Sequence, residues 1–259
     1  MVHSFKMHKK IAIVTGASSG LGVEFAKQID KKKILDEIWL VARREQNLKE
    51  VARQLKKSKG IILKTDLTKK QDIQKLIKKL EKEKPNLRLL VNNAGFGKKG
   101  YFQKILLKTQ QEMIELNVKA LVTLTYEGIK YMTKGSEIIQ VASTAGFAPL
   151  PGFNVYSATK AFVLNFANAL NEELKSKGIH TIAVCPGPVK TEFTKRSEGK
   201  SIIPKEATAK KVVAKALKDL KKKRWTSIYS FRIKILAMIM KLLPRKWIVE
   251  MSNIKNKGL

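Results

Sequence analysis

The chain has 259 residues and carries 53 Lys and Arg against 21 Asp and Glu, a formal net charge of +32. Its length and its 44% hydrophobic content are enough to bury one complete core, and they favour a single α/β domain over two separate ones. Cys185 is the only cysteine, which excludes an internal disulfide and a cysteine metal cluster and is compatible with a reducing compartment.

The excess of positive charge would attract nucleic acid, anionic lipid and phosphorylated ligands alike. The lysines are nevertheless spread along nearly every amphipathic stretch, as at 31–33, 56–57, 78–79 and 221–223. That distribution is typical of solvated helix faces, so we expect no dedicated nucleic-acid site. We also expect no secretion signal before the first strand and no spanning helix, and therefore a cytoplasmic protein, with membrane association left open.

Short runs rich in Ile and Val alternate with longer Lys/Glu-rich segments of helical period, which is typical of a parallel sheet with crossover helices. Right-handed crossovers would make this a Rossmann-like, doubly wound α/β fold. We assign one domain to 1–225, followed by an apolar and basic helical extension of that domain over 226–259. The predicted strands are 10–15, 37–42, 60–65, 87–92, 137–143 and 180–185, and the predicted helices are 20–33, 45–58, 69–84, 109–133, 154–177 and 206–222.

The pattern changes after Lys223, where the chain becomes apolar on most of the circumference of a helix. Lys234, Lys241 and Arg245, at spacings of seven and four, predict one basic stripe, and Pro244 should divide the segment into two helical pieces. Such a segment could close a substrate pocket, pack in an oligomer interface or lie in a membrane interface. We favour packing or oligomerisation, as a homo-dimer or homo-tetramer, slightly over peripheral membrane contact.

A glycine-rich turn follows the first strand, with Gly16, Gly20 and Gly22 in the spacing GxxxGxG immediately before a helix. Such a turn lets the backbone approach a pyrophosphate, while the helix N-terminus offers unpaired N–H groups and a favourable dipole. The simpler alternative is a tight strand-to-helix connection. We interpret the turn as a phosphate cradle, formed by Gly16, Ser18, Ser19, Gly20, Leu21 and Gly22.

The second strand is followed by Arg43 and Arg44, with no acidic residue before them. In a dinucleotide-binding fold the adenosine ribose lies at the end of this strand, where an acid would accept hydrogen bonds from a free 2′-hydroxyl. A guanidinium instead pairs with a 2′-phosphate, so the sequence favours NADP(H) over NAD(H). The alternative is that two arginines merely begin a surface helix in a basic protein.

Further polar motifs come at the ends of later strands or on the helices between them. In chain order they are TDL at 65–67, NNAG at 92–95, Asn117 within a helix, Ser143, YSATK at 156–160 and PGPVKT at 186–191. Together with TGASSGLG at 15–22, this series resembles the motifs of the short-chain dehydrogenase/reductase superfamily, in the right order and spacing. The resemblance covers roughly residues 9–195.

The resemblance implies a catalytic tetrad of Asn117, Ser143, Tyr156 and Lys160. A phenol with a pKa near 10 needs a neighbouring cation to act at neutral pH, and Lys160 lies four residues later on the same helix face. Tyr156 would exchange a proton with the substrate oxygen, Ser143 would stabilise charge developing on it, and Asn117 would hold a water that links Lys160 to solvent.

The same resemblance implies further contacts to the cofactor. Lys160 would also bind the nicotinamide ribose, Asp66 with Leu67 would contact the adenine, and Asn93, Ala94 and Gly95 would line the adenosine side. The nicotinamide carboxamide would be seated by the segment after the sixth strand, through Pro186, Gly187, Val189 and Thr191. No metal is needed, and Cys185, at the end of an apolar strand, is interpreted as packing rather than as a nucleophile.

The substrate should sit at the carboxyl ends of the strands, enclosed by 192–204 and by the apolar loop 147–153, with the C-terminal segment as a further candidate wall. These walls predict a hydrophobic carbonyl compound or secondary alcohol, such as a steroid, lipid or oxoacyl compound. Because cells usually keep NADP(H) reduced, a reductase is favoured. Two other functions stay open at this point: a catalytically silent NADP(H)-binding regulatory protein, and a polyanion-binding protein on the same fold.

Overall fold

A computed structural model of the chain describes residues 8–193 and 207–254. In this part of the chain seven strands form one sheet, in the order β3-β2-β1-β4-β5-β6-β7, and every neighbouring pair is parallel. The predicted Rossmann-like doubly wound fold is therefore confirmed. The strands are β1 (Lys10–Thr15), β2 (Glu37–Ala42), β3 (Lys59–Lys64), β4 (Asn86–Asn92), β5 (Glu137–Val141), β6 (His180–Val184) and β7 (Thr226–Ser227).

Helices cover both faces of the sheet, which is why β2 and β5 are buried along their whole length. One apolar cluster packs α1 and α7 against the sheet, and a second packs α3 and α5 against the other face. The helices of the described residues are α1 (Gly20–Lys32), α2 (Glu45–Gln54), α3 (Lys70–Glu83), α4 (Leu107–Ile114), α5 (Leu121–Ile129), α6 (Asn154–Glu173), α7 (Ala209–Lys221), α8 (Phe231–Leu242) and α9 (Arg245–Ile254).

Several predicted helices have different bounds in the structure, among them 154–177, which ends at Glu173. The second predicted helix stops at Gln54 instead of 58 because the Asp30 carboxylate accepts the backbone N–H groups of residues 56, 57 and 58, and so holds them in a loop. The predicted helix 109–133 is α4 and α5, joined without a break by a π-helical segment, Glu115–Ala120. The predicted helix 206–222 is α7, which begins at Ala209; residue 206 itself lies outside the described residues.

The C-terminal segment differs from its prediction in two ways. Its first two residues form β7, which is too short to give a strand pattern, so the sheet extends to Ser227, inside the predicted extension. Pro244 separates α8 from α9, as predicted, but Arg245 then begins a different helix. The prediction of one basic stripe through Lys234, Lys241 and Arg245 is therefore wrong. Among the described helices, none combines the length and the apolar character required to cross a membrane.

β1 lies between β2 and β4, so the chain reverses its direction of winding at this strand. At such a switch point the loops after the two adjoining strands turn away from each other and leave a crevice at the carboxyl edge of the sheet. The glycine-rich turn leaves β1 at that edge.

Candidate active site

A cavity of about 1280 Å³ opens at the carboxyl edge of the sheet. Its walls come from the segments that follow β1 to β6 and from the C-terminal helices α8 and α9. The cavity is larger than most small-molecule sites, and it has room for a dinucleotide together with a second ligand.

The glycine-rich turn has the backbone geometry of a phosphate cradle. Gly16 and Gly20 have φ angles of +65° and +55°, which side chains rarely permit. A Cβ on Gly22 would lie 2.1 Å from the carbonyl oxygen of Gly16, so this position of α1 must stay bare for the turn to close. Ser19, at the N-terminus of α1, makes no capping hydrogen bond through its side chain. The cradle and the uncapped first turn fit a pyrophosphate.

A buried threonine, which the sequence analysis did not single out, ties this turn to β4. The Thr15 hydroxyl donates to the carbonyl of Val91 at 3.2 Å and accepts the N–H groups of Asn93 and Ala94, each at 2.9 Å. The Asn93 amide returns a hydrogen bond of 2.8 Å to the carbonyl of Thr15. Asn93 thus braces the two strands, although it also borders the cavity. A hydroxyl residue at the end of an apolar strand is the signal that could have found Thr15.

Arg44 crosses the mouth of the cavity beside the glycine-rich turn. Its guanidinium pairs with Glu192 at 2.8 Å and donates to the hydroxyl of Ser18 at 3.3 Å. Asn47 donates to the carbonyl of Ser18 at 3.2 Å and holds the same turn from α2. Arg43 is exposed at the cavity wall. Two guanidinium groups therefore stand where the sequence places the adenosine ribose, and the Glu192 contact was not foreseen.

Tyr156 is buried in a stack of aromatic rings at the inner end of the cavity. Phe153 stacks on it with ring centroids 4.3 Å apart, and Phe193 lies tilted at 5.6 Å. The chain passes over the Tyr156 ring at Gly97, where a Cβ would come within 2.7 Å of it. These contacts fix the ring and leave its hydroxyl as the group available for chemistry. Phe193 lies within the predicted wall 192–204, but no motif singled it out as a site residue.

Burial perturbs both ionisable groups of the tetrad. It raises the pKa of Tyr156 to about 12. The hydrogen bond with Ser143 lowers this pKa but offsets only part of the rise. Burial also lowers the pKa of Lys160 to about 8. The Lys160 Nζ donates to the carbonyl of Val141 at 2.8 Å and lies 5.8 Å from the centre of the Tyr156 ring. The expected assistance of Tyr156 by Lys160 therefore acts across a gap and not through a direct hydrogen bond in this structure.

Asn117 lies in the π-helical segment and is completely buried. Its amide nitrogen donates to the carbonyl of Phe96 at 2.9 Å and to the hydroxyl of Thr159 at 3.1 Å, and its amide oxygen accepts the N–H of Phe96 at 3.0 Å. A Cβ on Gly95 would lie 2.8 Å from that oxygen and 3.3 Å from the Lys160 Nζ. Asn117 therefore joins the loop after β4 to α6 behind Lys160, through hydrogen bonds from both ends of its side-chain amide.

The remaining positions are set by turns after the strands. The Asp66 carboxylate accepts the hydroxyl of Thr68 at 2.7 Å, which shapes the loop after β3. Gly187, after β6, lies directly under α8, because a Cβ there would be 2.5 Å from Ile233. Gly22 and Asn117 do not reach the cavity surface. The other predicted residues do: Gly16, Ser18, Ser19, Gly20, Leu21, Arg43, Arg44, Asp66, Leu67, Asn93, Ala94, Gly95, Ser143, Tyr156, Lys160, Pro186, Gly187, Val189 and Thr191.

The outer part of the cavity is mainly apolar. The predicted loop wall contributes Phe147, Leu150 and Phe153, and the C-terminal helices add a second wall. Half-buried Lys99, whose pKa is lowered by burial, lies 6.0 Å over the Phe153 ring and adds charge to this end. Of the predicted wall 192–204, residues 194–204 lie outside the described residues. The wall residues from the C-terminal helices are Ile233, Leu236, Ala237, Ile239, Met240, Leu243, Ile248, Met251 and Ser252.

Metal ligands are absent from the described part of the chain, where no group of three His, Cys, Asp or Glu side chains could hold an ion. Cys185 is buried in an apolar cluster, which agrees with the prediction that it packs. The tetrad side chains that border the cavity are those of Ser143, Tyr156 and Lys160.

Comparison with known proteins places this geometry in a family. The sequence profile described as "short chain dehydrogenase" matches residues 10–201. An uncharacterized oxidoreductase of Staphylococcus epidermidis is 32% identical over 195 residues, covering 74% of this chain and 84% of the relative. Among solved structures, a short-chain dehydrogenase from Sphingobium yanoikuyae in complex with NADPH is 28% identical, with a TM-score of 0.80 and coverage of 90% of this chain and 93% of that one.

A second solved structure is the bulky-bulky ketone specific alcohol dehydrogenase from Comamonas testosteroni, which is 27% identical. Its TM-score is 0.75, and the match covers 89% of this chain and 92% of that one. The motif series, the strand order and these relatives agree. The chain belongs to the short-chain dehydrogenase/reductase family and is a nicotinamide-dependent oxidoreductase.

Proposed function

We propose that this enzyme transfers a hydride between NADP(H) and a carbonyl or secondary alcohol carried by a hydrophobic compound, working as a reductase. One observation carries the proposal: Ser143, Tyr156 and Lys160 border a single cavity that has a phosphate cradle at one end and apolar walls at the other. A steroid, a lipid or an oxoacyl compound matches those walls.

The bound nicotinamide supplies the hydride. The Tyr156 hydroxyl gives its proton to the substrate oxygen, and a phenol with a pKa of about 12 holds that proton until charge develops on the acceptor. The Ser143 hydroxyl donates to the same oxygen and stabilises the developing negative charge. Lys160, a buried cation, lowers the cost of the phenolate left behind and can bind a ribose hydroxyl in place of the Val141 carbonyl.

The choice of NADP(H) is supported by the two arginines at the end of β2. Arg44 already holds an anion, the Glu192 carboxylate, and a 2′-phosphate offers the same fork-like acceptor with more charge. Arg43 reaches the cavity from the adjacent position. The relative from Sphingobium yanoikuyae, which was solved with NADPH, is consistent with this preference.

The hydrophobic substrate is supported by the outer walls. Phe147, Leu150 and Phe153 line the same cavity as Tyr156 and the C-terminal helices, so a bulky apolar group bound there would be removed from water. The relative from Comamonas testosteroni is described as specific for ketones with two bulky substituents. We propose the same general type of substrate here, without a choice among steroid, lipid and oxoacyl compounds.

The test is the oxidation of NADPH and NADH, followed by absorbance, with a panel of ketones, steroids and oxoacyl thioesters. We expect turnover with NADPH in preference to NADH. Tyr156→Phe should lower kcat by roughly 10²- to 10⁴-fold, the usual contribution of a general acid. Tyr126→Phe, which changes an exposed tyrosine of α5 in the same way, is the matched control and should leave kcat unchanged.

Two results would overturn the proposal. Binding of NADPH without turnover on any member of the panel would indicate a regulatory protein, and turnover that survives Tyr156→Phe would indicate another acid. Preference for NADH would overturn the choice of cofactor alone.

The proposal includes a cytoplasmic location and a homo-dimer or homo-tetramer. The single buried cysteine is compatible with a reducing compartment, and members of this family commonly oligomerise. Cell fractionation tests the location, and sedimentation velocity of the purified protein tests the subunit number.

A further inference from the structure

Helix α8 has two apolar faces on opposite sides. Ile233, Ala237 and Met240 face inward and line the cavity. The opposite side carries Phe231, Ile235, Met238 and Leu242 at positions i, i+4, i+7 and i+11, which form one stripe along the helix. We call these four residues the outer stripe. Packing against the domain explains why the inward face is apolar, but it does not explain the apolar outer stripe.

The outer stripe is exposed to solvent. Its four side chains are between 44% and 86% accessible, and none of them lines the cavity. Helix α9 adds Trp247, which is 57% accessible and does not line the cavity. A contiguous exposed patch of this kind usually marks an interaction site. The described part of the domain leaves it uncovered.

Positive charge surrounds the patch. Residues 231–254 contain five basic side chains and a single acidic one, Glu250. Exposed Lys234 borders the outer stripe on α8, and exposed Arg245 and Lys246 begin α9. An apolar helix face with lysine and arginine beside it and a tryptophan at its end matches the interface of an anionic bilayer.

We propose that α8 and α9 dock this enzyme on an anionic lipid surface, with the outer stripe among the acyl chains and the basic residues at the headgroups. A second copy of the chain is a poorer occupant, because each copy carries a net charge of +32 and would bring more basic residues to the contact. A helix of 12 residues lies along a membrane surface and is too short to cross it.

Docking in this orientation would place α8 between the membrane and the apolar part of the cavity, with its inward face still lining the cavity. An apolar ketone dissolved in the bilayer would then meet a cavity wall built from the same helix. Lipid docking stands independently of the proposed reaction, because the residues of the outer stripe take no part in it.

The test is co-sedimentation of the full-length protein with vesicles of phosphatidylcholine alone or mixed with phosphatidylglycerol. The variant is Ile235→Ser with Leu242→Ser, two exposed positions outside the cavity. Ile34→Ser is the matched control, since Ile34 is 92% exposed and lies before β2, at the end of the sheet away from the cavity. We expect binding to the mixed vesicles, a partition coefficient at least tenfold lower in the double variant, and no change in the control.

A spectroscopic readout separates insertion from attraction by charge alone. Trp247 emission, isolated by subtracting the spectrum of Trp247→Phe, should shift to the blue on binding and be quenched by brominated acyl chains. Binding that is equal in the wild type and the double variant and disappears at high salt would show only general attraction of a basic protein, and would overturn the proposal. So would a fall in subunit number in the double variant, which would assign the patch to a second copy. Thermal unfolding and NADPH binding of each variant verify that it is folded.

Discussion

The cofactor end of the molecule and its C-terminal helices are built on different principles. Around the glycine-rich turn the backbone itself makes the contacts: Gly22 touches the carbonyl of Gly16, and the Thr15 hydroxyl holds the loop after β4. Helices α8 and α9 instead offer apolar side chains, of which Ala237 and Ile248 are buried and most of the large ones are exposed. In the first region, backbone contacts hold the cofactor-binding loops in one geometry. In the second region, apolar side chains determine the shape of the substrate wall and of the exposed surface.

The largest effect should come from Gly22→Ala. The added methyl group would collide with the backbone of Gly16, which cannot move aside, so the cradle must open. NADPH affinity should fall by roughly a hundredfold or more, by analogy with lost backbone contacts to phosphate. Isothermal titration measures it. Gly128→Ala on α5, where the new atom would meet only the side chains of Leu87 and Leu90, is the control and should retain most of the affinity.

The next effect concerns the free energy of unfolding. Burial lowers the pKa of Lys160 to about 8, so the cost of burying its charge is fully present below pH 8 and disappears as the pH rises toward the unfolded value of 10.5. Stability should therefore increase between pH 8 and pH 10 in the wild type. Relative to Lys160→Met, the gain should be about 2 to 3 kcal/mol.

Urea unfolding of the two proteins at several pH values measures this difference. The pKa of Tyr156 is raised to about 12, so its ionisation changes the free energy of unfolding only near and above pH 10, where the unfolded phenol ionises. Below that pH, the free energy of unfolding of Tyr156→Phe should depend on pH in the same way as that of the wild type. Parallel pH curves for the wild type and Lys160→Met would contradict the prediction.

A smaller effect should follow from the ion pair that closes the mouth of the cavity. Arg44→Ala should weaken NADPH binding about tenfold and NADH binding less, because only NADPH has a phosphate at this position. Glu192→Gln releases Arg44 from its partner and should strengthen NADPH binding a few-fold. Arg53→Ala, an exposed arginine of α2 outside the cavity, is the control. Equal losses for the two cofactors in Arg44→Ala would remove the basis for the preference.

The smallest effect is expected at the C-terminal wall. Ala237→Leu narrows the apolar part of the cavity and should raise KM for a bulky ketone about fivefold, within the range for extra methylenes in a pocket. KM for a small ketone and the affinity for NADPH should stay the same. If Ala237→Leu also lowered the affinity for NADPH about fivefold, the C-terminal wall and the cofactor site would be coupled and the comparison would fail.

The sequence located the residues that border the cavity, and it described the C-terminal helices only in outline. Alternation of strands and helices, the glycines and the arginines after β2 are local signals, and the structure places nearly all the residues chosen from them around one cavity. The bracing by Thr15 and the Arg44–Glu192 pair join residues far apart in the chain, so no local pattern contains them. For α8 the apolar positions surround the helix, so periodicity did not separate the inward face from the outer stripe.

The contact between Gly187 and Ile233 joins the loop after β6 to the apolar wall of the cavity. A Cβ at position 187 would lie 2.5 Å from the Ile233 side chain, so a larger residue there would push the first turn of α8 outward. The width of the apolar part of the cavity can therefore be changed from the loop after β6, at a residue that belongs to neither C-terminal helix.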